Sequence, residues 1–363
     1  MQYPHQSLWI NDRDVLIRDI LTKTAPYFNT FEQNVFAFIR DWLSDIPAFS
    51  LQTSGSTGAS KTIIATRDQM IYSAKQTERA LGLVPGTTAL VCLDPQFIAG
   101  KMMLVRCFVT GMQIMAKTPS ANVLDNIPDV SLELTAMVPY QIQGILESRL
   151  AYKLNNIRTV LIGGAALNDT TKHQLSQFKT DIYVTYGMTE TISHVALQRV
   201  NGKNPEDHFK ALPGITLQLD DRDCLIIKAP HLPLEIITND IAQLVGLNGF
   251  RWLGRWDNVI NTGGIKVIPE ETEKIIQSVF LELGLNHEFF LTGFPDQKLG
   301  QRVVLIVKGQ LTGYQKSEII TLARKKIQIY AAPKEVICLE QFHYTHNDKI
   351  SRVKTVEMFQ KRP

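Results

Sequence analysis

The stretch SLQTSGSTGASKTI, Ser50 to Ile63, gathers Thr53, Ser54, Gly55, Ser56, Thr57 and Gly58 ahead of Lys61 and then runs into β-branched apolar residues. Hydroxyls and glycine-freed amides are donors, and a lysine ammonium is a point charge, so the set suits the oxygens of a polyphosphate. A Walker loop needs glycine directly before its lysine so that consecutive amides wrap the phosphates. Ser60 stands there instead. A flexible Ser/Gly linker is the competing reading. It is the weaker one, because the segment leads into Lys61-Thr62-Ile63-Ile64-Ala65, a strand pattern inside the core-forming region.

Further along come LIGGAAL (161–167), YGMTET (186–191), TND (238–240), GFRWLGRWDNVINTGGIKVIPEETE (249–273) and HNDKISR (346–352). Read singly, each has a plain explanation. Tyr186 fits a core aromatic, Glu190 a surface carboxylate, and Gly163-Gly164 a strand-end turn. Asp240 fits a turn acid closing the strand LEIITND, Asp257 a solvated linker acid, Gly263-Gly264 a hairpin, and Lys349 a solvated cation. In this order, together with the serine- and threonine-rich loop, they resemble the motifs of the adenylate-forming superfamily. That group includes acyl-CoA synthetases, firefly-type luciferases and the adenylation domains of peptide synthetases. The resemblance runs from about residue 50 to the end of the chain.

The resemblance implies an acetyl-CoA synthetase-like α/β fold: a large N-terminal domain over residues 1–255 with a β subdomain, and a small mobile α+β C-terminal domain over 256–363. It implies ATP, Mg²⁺ and CoA as cosubstrates and cofactor. A carboxylate and ATP give an acyl adenylate and pyrophosphate, and the CoA thiol then attacks the adenylate. Residues 53–61 would hold the outer phosphates, Thr189 the α-phosphate and Glu190 the metal. Tyr186, flanked by Gly187 and Met188, would stack on adenine, with Gly163, Gly164 and Ala165 as the other wall. Asp240 and Arg255 match the ribose and phosphate contacts, Asp257 the hinge, and Lys349 the cation brought to the reacting carboxylate. Gly263 and Gly264 would let the pantetheine arm of CoA approach.

Within the superfamily, the short chain and YGMTETISH look most similar to the o-succinylbenzoate CoA ligases of menaquinone biosynthesis. A keto-diacid of that kind needs a cation for its second carboxylate. Arg106 is the candidate, with Ser193 and His194 as polar neighbours; an exposed arginine on an amphipathic helix is the alternative. The chain departs from the pattern at Asn239 and Asp348, which replace glycines, and at Phe97, near the place of a histidine. Only about fifty residues precede the loop, so a reduced first subdomain is expected. An adenylating enzyme for another acid, a carrier-protein loader, a noncatalytic nucleotide-binding homologue and a Walker-type NTPase are the rivals.

Composition bounds the rest. A net charge of +3 over 363 residues, with scattered basic residues, lacks the footprint of a nucleic-acid binder. The N-terminus lacks a signal-peptide pattern, and no apolar run approaches the ~18 residues of a membrane span, so a cytoplasmic location is expected. Cys92, Cys107, Cys224 and Cys338 have no zinc-ligand spacing and read as reduced thiols. His343 and His346 form an HxxH without a third ligand. Homo-oligomer formation is left open. Predicted strands at 88–93, 112–117, 134–140, 159–164 and 181–187 alternate with helices at 66–81, 101–110, 139–150 and 168–178, the pattern of a parallel sheet covered by helices. Shorter, turn-separated strands after about Pro205 predict a smaller β subdomain.

Overall fold

The computed structural model describes residues 3–44, 46–52, 62–125, 127–345 and 350–360. Its centre is a run of parallel strands in the spatial order Gln113–Ala116, Thr88–Val91, Leu132–Met137, Ile157–Ile162 and Asp181–Gly187. Parallel neighbours need crossovers. The helices Ile98–Thr110, Pro139–Leu146 and Asp169–Leu175 occupy those connections. Successive strand residues feed opposite faces: Ala89, Val91, Leu134 and Leu161 enter one apolar core, and Leu90, Met137, Val160 and Ile162 the other. Burial on both faces explains why these runs are almost wholly apolar.

Two boundaries differ from the sequence reading for local reasons. The strand predicted to reach residue 140 stops at Met137, because Pro139 occupies the first turn of the next helix, where its missing N–H costs nothing. The run predicted at 159–164 is Ile157–Ile162, and Gly163 and Gly164 fall in the turn beyond it. Helix Arg67–Leu81 is fixed at both ends. Thr66 and Gln69 form a capping box, and Gly82 closes the helix in the left-handed region.

The strands after Pro205 are built onto the main sheet. His194–Arg199, Phe209–Ala211, Gly249–Arg255, Ile236–Val245, Cys224–Lys228 and Thr216–Leu219 continue the parallel sheet as antiparallel strands, making thirteen strands among the described residues. Leu225, Ile227 and Phe250 bury in the same core as Leu134 and Leu161, so extending one sheet covers apolar surface that a detached unit would expose. The opposite edge comes from the N-terminal residues, as Ser7–Ile10 and Arg13–Leu16.

At the short turn Trp256–Asn258 both sheet and core change. Ile260–Thr262, Ile265–Val267, Phe289–Asp296, Gly300–Lys308 and Glu335–Leu339 build a second sheet. Helices Pro269–Glu282 and Gly313–Lys326 pack on it through Ile276, Phe280 and Ile319 against Leu305 and Val307. A third, two-stranded element pairs Ala48–Gln52 with Thr62–Thr66, setting Gln52 opposite Thr62.

Candidate active site

Residues 53–61 and 346–349 lie outside the described residues. Thr53, Ser54, Gly55, Ser56, Thr57, Gly58, Lys61 and Lys349 are therefore not described; in the chain, the paired strands Ala48–Gln52 and Thr62–Thr66 stand on either side of the first segment, and helix Arg352–Gln360 follows the second.

The other candidates collect around strand ends on the main sheet. Gly163, Gly164 and Ala165 follow Ile157–Ile162, and Tyr186 and Gly187 close Asp181–Gly187. Met188 then enters the short helical turn Thr189–Thr191. The Thr191 hydroxyl accepts from the Met188 N–H at 2.9 Å and donates to the Ser193 carbonyl at 2.7 Å, which folds the turn back on itself. Gly187 is required by that fold, because a Cβ there would run into the Ser193 carbonyl and the His194 Cα. Ile192 is held at φ +67°, a rare conformation for a β-branched residue, while its side chain is buried. Strain of this kind, on the order of 1–3 kcal/mol, persists only where the surroundings impose it. Glu190 is exposed and has no ion pair among the described residues.

A polar chain runs from this turn to the boundary between the two sheets. The Tyr186 hydroxyl donates to Asp240 Oδ2 at 2.7 Å. Its ring meets Phe250 edge-on at 4.9 Å and packs against Phe209 at 5.7 Å. Burial, followed by the Asp240 charge, holds the phenol pKa well above its usual value, so the hydroxyl remains a donor. Asp240 does not close a strand as the sequence reading expected. It pairs with Arg255 inside the longer strand Ile236–Val245, beside a register shift between Ile241 and Ala242. The hairpin with Gly249–Arg255 supplies the extra pairing that carries the strand past the Asn-Asp pair.

Arg255 links two acids, lying 3.5 Å from Asp240 Oδ1 and 2.7 Å from Asp257 Oδ2. Burial works against its charge, yet the Asp257 hydrogen bond and the Asp240 field raise its pKa. Asn239 completes the chain, donating to Asp257 Oδ1 at 3.1 Å and accepting from Arg222 at 3.0 Å. Asp257 itself sits in the Trp256–Asn258 turn.

The second cluster surrounds Arg106. The alternative of an exposed arginine is excluded: Arg106 is 2 % exposed. Helix Ile98–Thr110 is not amphipathic at the surface but buried through Met102, Met103, Leu104, Val105, Cys107 and Phe108. The guanidinium reaches Ser193 Oγ from Nη2 at 2.7 Å, His194 Nδ1 from the same nitrogen at 3.3 Å, and Thr77 Oγ1 from Nε at 3.3 Å. Among the described residues, no carboxylate pairs with it. Burial lowers its pKa to about 10, which leaves it charged near neutral pH. Burial and then the neighbouring guanidinium push the His194 pKa well below its ordinary value, so the imidazole is neutral. Ser193 and His194 come within four residues of Glu190, so one short segment joins this cation to the Thr189–Thr191 turn. Thr77 and the strained Ile192 had no signature in the sequence.

Gly263 and Gly264, at φ +59° and +81°, are the two central residues of the hairpin between Ile260–Thr262 and Ile265–Val267. Arg352, three residues past Lys349, is tied to helix Pro269–Glu282: it donates to Glu273 at 2.8 Å and to the Leu291 carbonyl at 3.1 Å. Cys92 and Cys107 are buried, and burial pushes both thiols up to about 12. No group of metal-binding side chains of the His, Cys and carboxylate kind occurs among the described residues, and none of their helices is long and apolar enough to cross a membrane.

An open α/β sheet with acids, glycines and a strained turn gathered beyond its strands has the architecture of the acetyl-CoA synthetase-like adenylate-forming enzymes. The chain belongs to the AMP-binding enzyme family, whose model matches residues 15–230. It is 25 % identical over 327 residues to a 2-succinylbenzoate–CoA ligase of Lactococcus lactis, covering 84 % of this chain and 70 % of that protein. A ligase of the same name from Listeria monocytogenes is 23 % identical over 349 residues, covering 89 % and 72 %. Among solved structures, an acyl-CoA synthetase (AMP-forming)/AMP-acid ligase II-like protein from Dyadobacter fermentans is 36 % identical with a TM-score of 0.63, covering 93 % of this chain and 97 % of that one. An o-succinylbenzoate coenzyme A synthetase from Bacillus subtilis, solved with ATP and magnesium ion, superposes with a TM-score of 0.70 at 19 % identity, covering 85 % and 69 %.

Proposed function

We propose that this chain is an ATP-dependent acyl-CoA ligase that activates a dicarboxylic acid of the o-succinylbenzoate class, forming first an acyl adenylate and then the CoA thioester. Family membership and the similarity to the Lactococcus and Listeria ligases support the reaction type. The observation that carries the substrate class is Arg106, a buried guanidinium surrounded by neutral partners, one segment away from Thr189 and Glu190. A cation taken out of water without a counter-ion is costly. A substrate bearing a second carboxylate would supply that counter-ion.

Asp240, with its carboxylate oriented by Tyr186 and Arg255, is suited to accept the ribose hydroxyls, and the Tyr186 ring to lie against adenine beside Gly163, Gly164 and Ala165. Thr189 offers a hydroxyl to the α-phosphate. Glu190 fits a Mg²⁺ ligand: it is exposed, has no ion pair among the described residues and provides a hard oxygen. When bound, Mg²⁺ neutralises phosphate charge. The loop 53–61 would grip the outer phosphates with hydroxyls, amides and Lys61. Catalysis of the first step is then alignment of two anions and relief of their repulsion, with Lys349 as the cation at the reacting carboxylate.

The residues beyond Trp256–Asn258 would move as a unit about Asp257 to bring Lys349 in for adenylation and out for thioester formation. Gly263 and Gly264, without side chains, would then border the path of the pantetheine arm. The test supplies ATP, Mg²⁺ and CoA with o-succinylbenzoate, benzoate or a fatty acid, and follows AMP and thioester by mass. AMP and thioester from the dicarboxylate support the proposal; ADP, or turnover of the monoacids alone, contradicts it. Lys349→Ala should slow adenylation by about 10²-fold or more while leaving thioester formation from a supplied acyl adenylate largely intact. Equal loss of both half-reactions would remove the role given to Lys349.

A further inference from the structure

We propose that Thr77 and His194 are positioning residues for Arg106: they hold the guanidinium in one orientation so that its Nη1 amino group faces the substrate's second carboxylate. This inference rests on the proposed role of Arg106 in substrate choice.

The hydrogen bonds around the cation admit one assignment of protons. A guanidinium has only donors. His194 Nδ1, 3.3 Å from Arg106 Nη2, must therefore be the unprotonated nitrogen. The ring proton then sits on Nε2, which donates to Thr77 Oγ1 at 3.0 Å. Thr77 accepts that proton and the Arg106 Nε–H on its two lone pairs, and its own hydroxyl hydrogen goes to the Ser73 carbonyl at 3.2 Å. Ser193 Oγ takes the remaining Nη2 hydrogen at 2.7 Å. The opposite tautomer would point an N–H of His194 at an N–H of Arg106.

With this assignment Nε and both Nη2 hydrogens are used, and Nη1 has no hydrogen-bond partner among the described residues. The contacts fix the plane of the guanidinium from two sides. Thr77 holds it from helix Arg67–Leu81, and His194 from the start of strand His194–Arg199. Neutral groups orient the cation and no protein anion among the described residues neutralises it. Removing either holder frees the guanidinium to turn about its last side-chain bond, which costs affinity for an anion and leaves the rest of the acyl site as it was.

The test measures kcat and KM of the full chain for o-succinylbenzoate and for its two monoacid analogues, each with one carboxyl replaced by hydrogen. Thr77→Val removes the shared acceptor at nearly constant shape, and His194→Gln removes the acceptor that faces Arg106. Each should cut the dicarboxylate-to-monoacid ratio of kcat/KM by about tenfold, the scale of one hydrogen bond to a charged group, with the loss in KM. Thr77→Ser keeps the hydroxyl, and His194→Asn keeps an oxygen near the Nδ1 position; both should restore the ratio.

Thermal melts identify any variant that fails to fold, and His194→Gln decides the matter if Thr77→Val does not fold. An unchanged ratio in a folded Thr77→Val or His194→Gln protein overturns the proposal, as does parallel loss on mono- and dicarboxylates. Arg106→Gln separates the two levels. If it abolishes the preference while the Thr77 and His194 variants do not, only the positioning role is lost; if the preference survives it, the substrate reading falls as well.

Discussion

Arg106→Met should cost the protein little stability and most of its dicarboxylate activity, and the two effects can be sized from the surroundings of the side chain. Burial lowers the Arg106 pKa from 12.5 to about 10. The folded chain therefore holds this proton less tightly than the unfolded chain does. The sign is that of a destabilising charge: the penalty is fully present below the folded pKa of about 10 and fades only as pH rises from there toward the unfolded value. At one pKa unit per 1.36 kcal/mol, the penalty at neutral pH is roughly 3 kcal/mol.

Methionine removes that penalty and fills a similar volume. It also removes the hydrogen bonds to Thr77, Ser193 and His194, worth about 1 kcal/mol each in net terms. The two sums nearly cancel, so urea denaturation at pH 7.5 should give a change within about 1–2 kcal/mol, against the 3–5 kcal/mol expected when a true buried ion pair loses one partner. In the same protein, kcat/KM for o-succinylbenzoate should fall by about 100-fold, the upper range for a hydrogen bond to a charged group. Thermal stabilisation by the dicarboxylate should disappear in parallel. A variant destabilised by more than 3 kcal/mol that keeps its preference for the dicarboxylate would show instead that Arg106 has a protein counter-ion and does not serve the substrate.

Two further substitutions probe the polar chain that ends at Asp257. Tyr186→Phe keeps the ring against Phe209 and Phe250 but removes the donor to Asp240; the KM for ATP should rise about three- to tenfold at near-constant kcat, and an unchanged KM would remove the phenol from the nucleotide site. Asn239→Gly deletes the contacts to Asp257 and Arg222. With about 1 kcal/mol or less lost at this partly exposed position, limited proteolysis near Trp256–Asn258 should quicken severalfold while the KM for ATP holds, and equal cleavage of both proteins would show that Asn239 does not restrain the turn.

The parallel sheet was legible in the sequence because each central strand is a short apolar run buried on both faces, and the crossover helices Pro139–Leu146 and Asp169–Leu175 open with a proline and an asparagine cap. The shorter strands after Pro205 are legible as strands, but nothing local in one such as Cys224–Lys228 states which sheet it joins; that is decided by Phe250, Leu225 and Ile227 finding the main core. Asp240 was recognised by type but misplaced at a strand end, because Asn-Asp pairs are strong turn formers and the opposing hairpin that overrides them lies elsewhere in the chain. Arg106 was legible as a candidate, but its burial was not. Helix Ile98–Thr110 carries one charged residue beyond its first turn, and whether that residue faces water depends on the packing of helix Arg67–Leu81 over it. Thr77 and the strained Ile192 are ordinary residues in sequence and acquire meaning only through Arg106, His194 and the turn after Glu190.

The step that defines the proposed reaction is the joining of a carboxylate to the α-phosphate of ATP. Pyrophosphate exchange measures that step alone: with Mg²⁺, ATP and labelled pyrophosphate but no CoA, label should enter ATP only when o-succinylbenzoate is present, and much less with either monoacid analogue. Release of ADP and phosphate, or exchange that proceeds equally well without any carboxylic acid, would rule out adenylation of a carboxylate by this protein.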